Sequence, residues 1–94
     1  MIIIAGTISI DPDARAEYLN AHHVVVDAAR KSTGCLDFSL SADLLEADRI
    51  NVYERWESTE DLERFRGDGP SPEDTAQLRS ADVLRYNIAS TEAP

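Results

Sequence analysis

Residues 51–58 read NVYERWES, and together with Ile50 they alternate as the side chains of a β-strand do. One side consists of Ile50, Val52, Glu54 and Trp56, and the other of Asn51, Tyr53, Arg55 and Glu57. The first side holds the one tryptophan of the chain and two β-branched aliphatic residues, so we expect it to face the core. The same side also holds Glu54. A carboxylate at such a position needs a hydrogen-bond or charge partner, or a solvated pocket.

The rest of the chain predicts the element order β-α-β-β-α-(α)-β. Asp11 followed by Pro12 indicates a helix start, and Gly34 indicates its end. Ser58 with Asp61 three residues later is a variant of the capping box. Strands are predicted over residues 2–10, 35–41, 49–57 and 83–89, and helices over 12–32, 58–66 and 72–80.

This order is typical of an α+β fold, the ferredoxin-like split βαβ fold, with a four-stranded antiparallel sheet and helices on one face. We expect a single domain over residues 1–90 and a frayed tail over 91–94. The second face of the sheet carries Tyr53 and further apolar residues, which is more than a fully solvated face needs. Sheet-to-sheet packing in a homodimer would cover it.

Composition excludes several partners. The 94 residues carry a net charge of −9, which argues against nucleic acid and anionic membrane surfaces as ligands. No apolar run approaches the roughly 20 residues that span a bilayer. The N-terminus MIIIAGTISI lacks the basic region of a signal peptide, so we expect a cytoplasmic protein. The lone Cys35 excludes a disulfide framework within the chain and a cysteine-based zinc site.

The first predicted helix brings a histidine toward the same interior. On a helical wheel one arc contains Ala14, Tyr18, Ala21, Val25, Ala28 and Ala29. His22 lies inside this arc and is predicted to look into the space toward which Glu54 and Trp56 point. His23 and Asp27 are spaced as i and i+4, but two ligands on an exposed helix face do not make a metal site.

Four stretches carry a family resemblance: IIIAGTISIDP, AHHVVVDAARKSTGCLDFSLS, NVYERWES and DVLRYNIA. With their spacing they resemble the antibiotic biosynthesis monooxygenase family of dimeric α+β barrel proteins. The resemblance implies a homodimer whose two sheets form a barrel, with a pocket between the sheet and the helices of each subunit. The family includes cofactor-free oxygenases of polycyclic quinols and anthrones, quinol oxidases, haem-degrading enzymes and proteins of other function.

The resemblance implies roles for several residues. Trp56 would line the pocket, His22 would be the base, and Glu54 would orient it; these three are the candidate catalytic residues. The alternative for Glu54 is a structural hydrogen bond or ion pair, for example to an arginine or to a side chain of the first helix. The alternative for Trp56 is a core residue, and for His22 a satisfied core histidine.

Tyr18, Asn51 and Phe65 are the candidate substrate-binding residues. Some oxygenase relatives use an asparagine a few residues before the tryptophan. Here Asn51 precedes Trp56 by five positions, so strict alternation sends the two side chains to opposite faces unless a bulge intervenes. Tyr53 is predicted to lie in the dimer interface.

Haem binding is not expected. The haem-degrading relatives carry a haem-ligating histidine where this chain has Arg66, and an asparagine where it has Gly6 and Thr7. The sequence therefore predicts no cofactor and no metal.

Three hypotheses of function follow. The first is a cofactor-independent monooxygenase or quinol-type oxidase of a hydroxylated aromatic, because an electron-rich phenolate can itself reduce dioxygen. The second is a non-enzymatic dimeric barrel that binds a small aromatic or quinol-like ligand, as in stress response. The third is a structural dimerisation module with Glu54 held in an ion pair.

Overall fold

The structure, a computed structural model, describes residues 1–67 and 78–94. Its four strands are β1 (Ile2–Ile10), β2 (Cys35–Ala42), β3 (Arg49–Trp56) and β4 (Leu78–Asn87). They form one sheet in the order β2-β3-β1-β4, and every neighbouring pair is antiparallel. The helices α1 (Arg15–Ala21), α2 (His23–Arg30) and α3 (Thr59–Arg66) complete the α+β ferredoxin-like fold, which confirms the predicted fold class.

The first helical segment is broken, so the prediction of one continuous helix over 12–32 is wrong. A 3₁₀ turn over Pro12–Ala14 precedes α1, and His22 separates α1 from α2 with φ −89° and ψ 2°. The carbonyl oxygen of Tyr18 accepts hydrogen bonds from both the backbone N–H and the Nδ1 of His22. A side chain that competes for a helical carbonyl loosens the backbone ladder, and the β-branched residues 24–26 that follow add little helix propensity.

The break changes which residues of this segment face the sheet. Tyr18 and Ala29 are buried, as the wheel predicts, but Ala21 and Ala28 are exposed and Val25 is 37% exposed. Val26 packs against the core in place of Val25. A wheel drawn at a constant 100° per residue cannot represent a helix whose phase changes at His22.

Strand β4 begins five residues earlier than the predicted 83–89. Leu78 pairs with Ile10, and Ser80 pairs with Ser9, so the start of β4 completes the sheet beside the end of β1. The predicted helix over 72–80 is therefore wrong for residues 78–80, and its remainder lies outside the described residues. The cap of α3 is confirmed, because Ser58 Oγ accepts a hydrogen bond from the Asp61 N–H at 3.2 Å.

The helices cover one face of the sheet over two apolar clusters. One cluster consists of Ile2, Ile4, Ala29, Phe38, Trp56 and Leu62, and the other of Ile8, Ile10, Tyr18 and Ile50. The opposite side of the sheet, called here the open face, carries the alternate residues. Its members are Ile3, Ala5, Thr7 and Ser9 of β1 and the residues paired with them on β3 and β4.

Glycine at position 6 allows β1 and β4 to approach. Gly6 has φ +156°, and a Cβ built on it would overlap the carbonyl oxygen of Asp82 and lie 2.7 Å from the Cα of Val83. Gly67 also has a positive φ, +56°, but no described atom lies within 4 Å of the corresponding Cβ. Substitutions at Gly6 and Gly67 therefore distinguish the cost of steric overlap from the cost of backbone strain.

We predict that Gly6→Ala lowers the free energy of unfolding by roughly 3 kcal/mol or more, because backbone atoms of β4 must move as well as the strained φ be kept. Gly67→Ala should lower it by only about 1–2 kcal/mol, the strain of its positive φ (56°, with ψ −121°) without steric overlap. Urea unfolding of both variants measures the difference. Equal losses would contradict the close approach of β1 and β4.

Candidate active site

Glu54 lies on the core face of β3, as the alternation predicts. It pairs with Ile4 of β1 on one side and with Phe38 of β2 on the other. Only 8% of its surface is exposed, and it is the one buried charged side chain among the described residues. The sheet thus carries a carboxylate between the apolar side chains of three strands.

The partner of this carboxylate is Trp56, two residues along the same strand. Trp56 is fully buried, and its indole Nε1 donates a hydrogen bond to Glu54 Oε1 at 3.1 Å. Among the described residues this is the hydrogen bond that Glu54 receives; neither an arginine nor His22 is joined to it by a hydrogen bond or ion pair. Glu54 thus has a hydrogen bond within β3, with Trp56 as its partner in place of an arginine, His22 or another side chain of the first helix.

Burial raises the pKa of the Glu54 carboxyl above its ordinary value of 4.5. The indole N–H of Trp56 and the positive charge of Arg66 act in the opposite direction, but they do not cancel the loss of water. The carboxylate therefore holds a proton more tightly than an exposed glutamate does. A raised proton affinity is what a general base or a hydrogen-bonding anchor for a hydroxyl group needs.

An aromatic cluster surrounds this pair on the helix side. Phe65 of α3 lies 5.4 Å from the Trp56 ring, centroid to centroid, at an interplanar angle of 31°. Phe38 meets the Phe65 ring edge-on at 5.9 Å. The structure therefore brings Phe65, a candidate substrate-binding residue, together with Trp56. Phe38 is a member that sequence reasoning missed, although its inward position follows from the alternation of β2.

Tyr18 and His22 form a second aromatic pair, on α1 and at the α1–α2 junction. Their rings stack at 4.0 Å with an angle of 24°, and Tyr18 is 8% exposed. His22 Nδ1 lies 2.8 Å from the Tyr18 carbonyl oxygen. A carbonyl oxygen can only accept, so Nδ1 carries the hydrogen and Nε2 is the basic atom of the neutral ring.

Asn51 lies on the open face, away from Trp56. Its Oδ1 accepts a hydrogen bond from Arg49 Nε at 2.8 Å, and its Nδ2 donates to Asp43 Oδ1 at 3.0 Å. Asp43 also accepts from the backbone N–H groups of Glu46 and Leu45, and these bonds lower the pKa of Asp43 to about 2. Asn51 is thus part of the network that holds the β2–β3 loop, and the regular pairing of β3 with β1 from Arg49 to Trp56 keeps Asn51 on the face opposite the tryptophan.

Asp27, which is spaced as i+4 from His23, is held by an ion pair. Asp27 pairs with Lys31 at 2.9 Å. Over residues 1–67 and 78–94 no three side chains of histidine, cysteine or acidic type come together as a metal site. Over the same residues, no helix is long and apolar enough to cross a membrane.

The chain is similar to known proteins in both sequence and fold. A sequence model of the family named antibiotic biosynthesis monooxygenase matches residues 1–70. The chain belongs to this family. A curated relative, the uncharacterized protein sll1783 of Synechocystis sp., is 26% identical over 99 residues, which cover 97% of this chain and 65% of that protein. The chain thus spans less than two thirds of that relative.

Several solved structures have the same fold as this chain. A Deinococcus radiodurans protein named for the family superposes with a TM-score of 0.81 at 19% identity, over 100% of this chain and 98% of that one. Rv0793 of Mycobacterium tuberculosis gives 0.73 at 22% identity, over 98% and 97%. A mutant of MhuD with two manganese protoporphyrin IX molecules bound per active site gives 0.68 at 18% identity, over the whole of both chains. At such identities the likeness concerns the fold.

The raised pKa of Glu54 should make the stability of the fold depend on pH. A carboxyl whose pKa is higher in the folded state stabilises the fold while protonated, and that contribution is lost as pH rises from 4.5 through the folded value. Glu54→Gln cannot ionise and still offers an oxygen to Trp56. We therefore expect its free energy of unfolding, relative to that of the unchanged chain, to increase between pH 4 and pH 8. The exposed neighbour Glu57→Gln is the matched control, and a flat difference for Glu54→Gln would contradict the prediction.

The hydrogen bond itself is tested by a double-mutant cycle. Trp56→Phe removes the donor and leaves the buried carboxylate of Glu54 without it, which should lower the free energy of unfolding by about 1–3 kcal/mol beyond the loss of packing. In a Glu54→Leu background the same change should lose only the packing part. Thermal and urea unfolding of the four proteins give the coupling energy, and a coupling near zero would show that the bond contributes nothing.

Proposed function

We propose that this family member is a cofactor-independent monooxygenase or quinol-type oxidase that acts on a hydroxylated aromatic compound. The observation that carries the proposal is the state of Glu54: it is buried, its Oε1 is fixed by Trp56, and its Oε2 receives no hydrogen bond from a described residue. An oriented carboxylate oxygen of raised proton affinity suits the hydroxyl group of a phenol or quinol.

The chemistry requires little of the protein. Removal of the hydroxyl proton gives a phenolate, which is electron-rich enough to reduce dioxygen. As an oxidase the site would take two electrons and two protons from a quinol, and dioxygen would leave as hydrogen peroxide. As a monooxygenase of an anthrone it would convert the ring methylene carbon to a carbonyl with one oxygen atom, and the other oxygen would leave as water with the two hydrogens of that carbon. The protein has to bind the flat ring, exclude water and accept a proton.

Two proton acceptors and the residues that position them make up the proposed site. Glu54 accepts a hydrogen bond from the hydroxyl group, and Trp56 positions Glu54 through its N–H while Phe65 packs against the Trp56 ring. His22, whose Nε2 is the basic atom, is the second proton acceptor, and Tyr18 fixes its ring by stacking and through its carbonyl. This assignment differs from a base and orienter pair, because Glu54 is bonded to Trp56.

Asn51 is left out of the proposed site, since it belongs to the loop network of the open face. Haem is left out as well. Where the haem-degrading relatives carry the ligating histidine, this chain has Arg66, which is exposed at the end of α3. The proposed reaction therefore takes its electrons from the substrate.

The proposal includes a homodimer formed by the open face, with residues 1–90 as the folded unit. Leu84 and Tyr86 of β4 pair with Ala5 and Ile3, so they lie on this face, where they are 56% and 48% exposed. Tyr53 of β3 pairs with Ala5 on the other side of β1. A second sheet packed on these side chains would remove them from water.

A second candidate function is binding of a small aromatic ligand without turnover. It is favoured by the hydrogen bond from Trp56 that fixes Glu54 Oε1 and leaves Oε2 without a hydrogen bond from a described residue, an arrangement that can hold a hydroxyl group without taking its proton. In this case Glu54 would only hold the ligand hydroxyl group. The fold accommodates either role, so the two are separated by measuring product.

We predict that the protein oxidises members of a panel of anthrones and hydroquinones in air, and that product and oxygen uptake disappear without dioxygen. Glu54→Gln and His22→Gln should each lower kcat by roughly 100-fold or more, the usual size of a lost acid–base group. The matched controls are the exposed neighbours Glu57→Gln and His23→Gln, which should retain the rate. Equal product with and without dioxygen would overturn the proposal, and binding without any product would favour the second candidate.

A further inference from the structure

Arg55 is a cation without a counterion on the open face. It follows Glu54 on β3 and pairs with Ile3 of β1 and Asp37 of β2. The residue is half-buried, its Nε is fully buried, and that atom has no hydrogen-bond partner among residues 1–67 and 78–94. No described residue forms an ion pair with it. A buried guanidinium nitrogen without an acceptor is unfavourable, so a further anion or acceptor beside Arg55 would stabilise it.

The other end of the same face holds an acidic hollow of about 190 Å³. Hydroxyl groups and carboxylates line it: Thr7, Ser9 and Ser80 with Glu46, Asp48 and Asp82. Arg49 also borders the hollow, but it is engaged with Asp43 and Glu46. Among the described residues neither Asp48 nor Asp82 has an ion-pair partner. Three carboxylates against one guanidinium leave the hollow negative.

The two features cannot satisfy each other within one chain. Arg55 pairs with Ile3, whereas Asp82 pairs with Thr7, four residues further along β1. Four residues of strand span about 13 Å, and β3 and β4 lie on opposite sides of β1. The pairing of β3 and β4 with β1 therefore sets the separation of the two features.

Two sheets related by a two-fold axis can bring Arg55 of one subunit next to the acidic hollow of the other. In such an interface the same patch serves both subunits, so a surface that carries a group and its complement at two places contacts itself twice. We propose that Arg55 of each subunit enters the acidic hollow of the other and pairs with the partner subunit's Asp82. This inference rests on the proposed homodimer and names the contact that specifies it.

The occupant that these observations favour is a second copy of this chain. A small anionic ligand could pair with Arg55 but would not bind in the acidic hollow. A cationic ligand could bind in the hollow but would not pair with Arg55. Two chains of charge −9 also repel each other, so their association gains from placing a cation against an acidic surface. The apolar side chains between the two sites, among them Leu84 and Tyr86, supply the area that is buried.

Charge reversal with mixing tests the contact. Arg55→Glu alone and Asp82→Arg alone each place like charges together twice in a homodimer, so the dissociation constant of each should rise by roughly 100-fold or more. A mixture of the two variants places Glu against Arg once and Arg against Asp once. It should therefore return to within about tenfold of the unchanged dimer, as a heterodimer. Sedimentation velocity measures the dissociation constants, and native mass spectrometry identifies the heterodimer in the mixture.

Arg85→Glu is the matched control, because Arg85 pairs with Ile4 and so lies on the helix side of β4, exposed and away from the open face. Circular dichroism verifies that each variant is folded. If the unchanged protein sediments as a monomer at micromolar concentration, the proposed dimer fails together with this contact. If it is a dimer and both reversals leave it so, or if the mixture fails to restore the dimer, only the Arg55–Asp82 contact is overturned. Oxidation of the aromatic panel is scored separately.

Discussion

The hydrogen bond from the indole of Trp56 to the carboxylate of Glu54 is the interaction around which the helix side of the sheet is organised. Period-two alternation puts residues i and i+2 of a strand on one face, so donor and acceptor reach each other without help from another element. Because both groups are buried, the surrounding layer must be apolar and closely packed. Phe38 and Phe65 provide that layer from β2 and α3.

Much of this arrangement follows from local patterns. The alternation in β3 predicts which side chains are buried, and both Glu54 and Trp56 are where it places them. The Ser58 cap is equally local, because the serine and the Asp61 N–H are brought together by helix geometry alone. A pattern of this kind is readable because it depends on neighbours a few residues away in the chain.

Other features depend on choices among distant or competing partners. Alternation assigns Glu54 to a face but does not say which group on that face it bonds, so an arginine or His22 was as reasonable a partner as Trp56. The helix break depends on His22 turning its ring onto the Tyr18 carbonyl, a rotamer that spacing does not encode. The early start of β4 is decided by its pairing with the end of β1, a contact between residues far apart in sequence.

The same alternation that buries Glu54 directs the next residue to the other side. Glu54 and Arg55 are consecutive, so the candidate reaction site and the proposed dimer contact share one strand and point in opposite directions. A carboxylate that must hold a hydroxyl group in a defined place gains from a backbone that does not shift, and strand β3 is fixed on both edges by β1 and β2. An ion pair to Arg55 from the partner subunit would restrain the same backbone from the open face. Dimerisation would then contribute to the site through positional restraint of β3, without placing any partner atom in it.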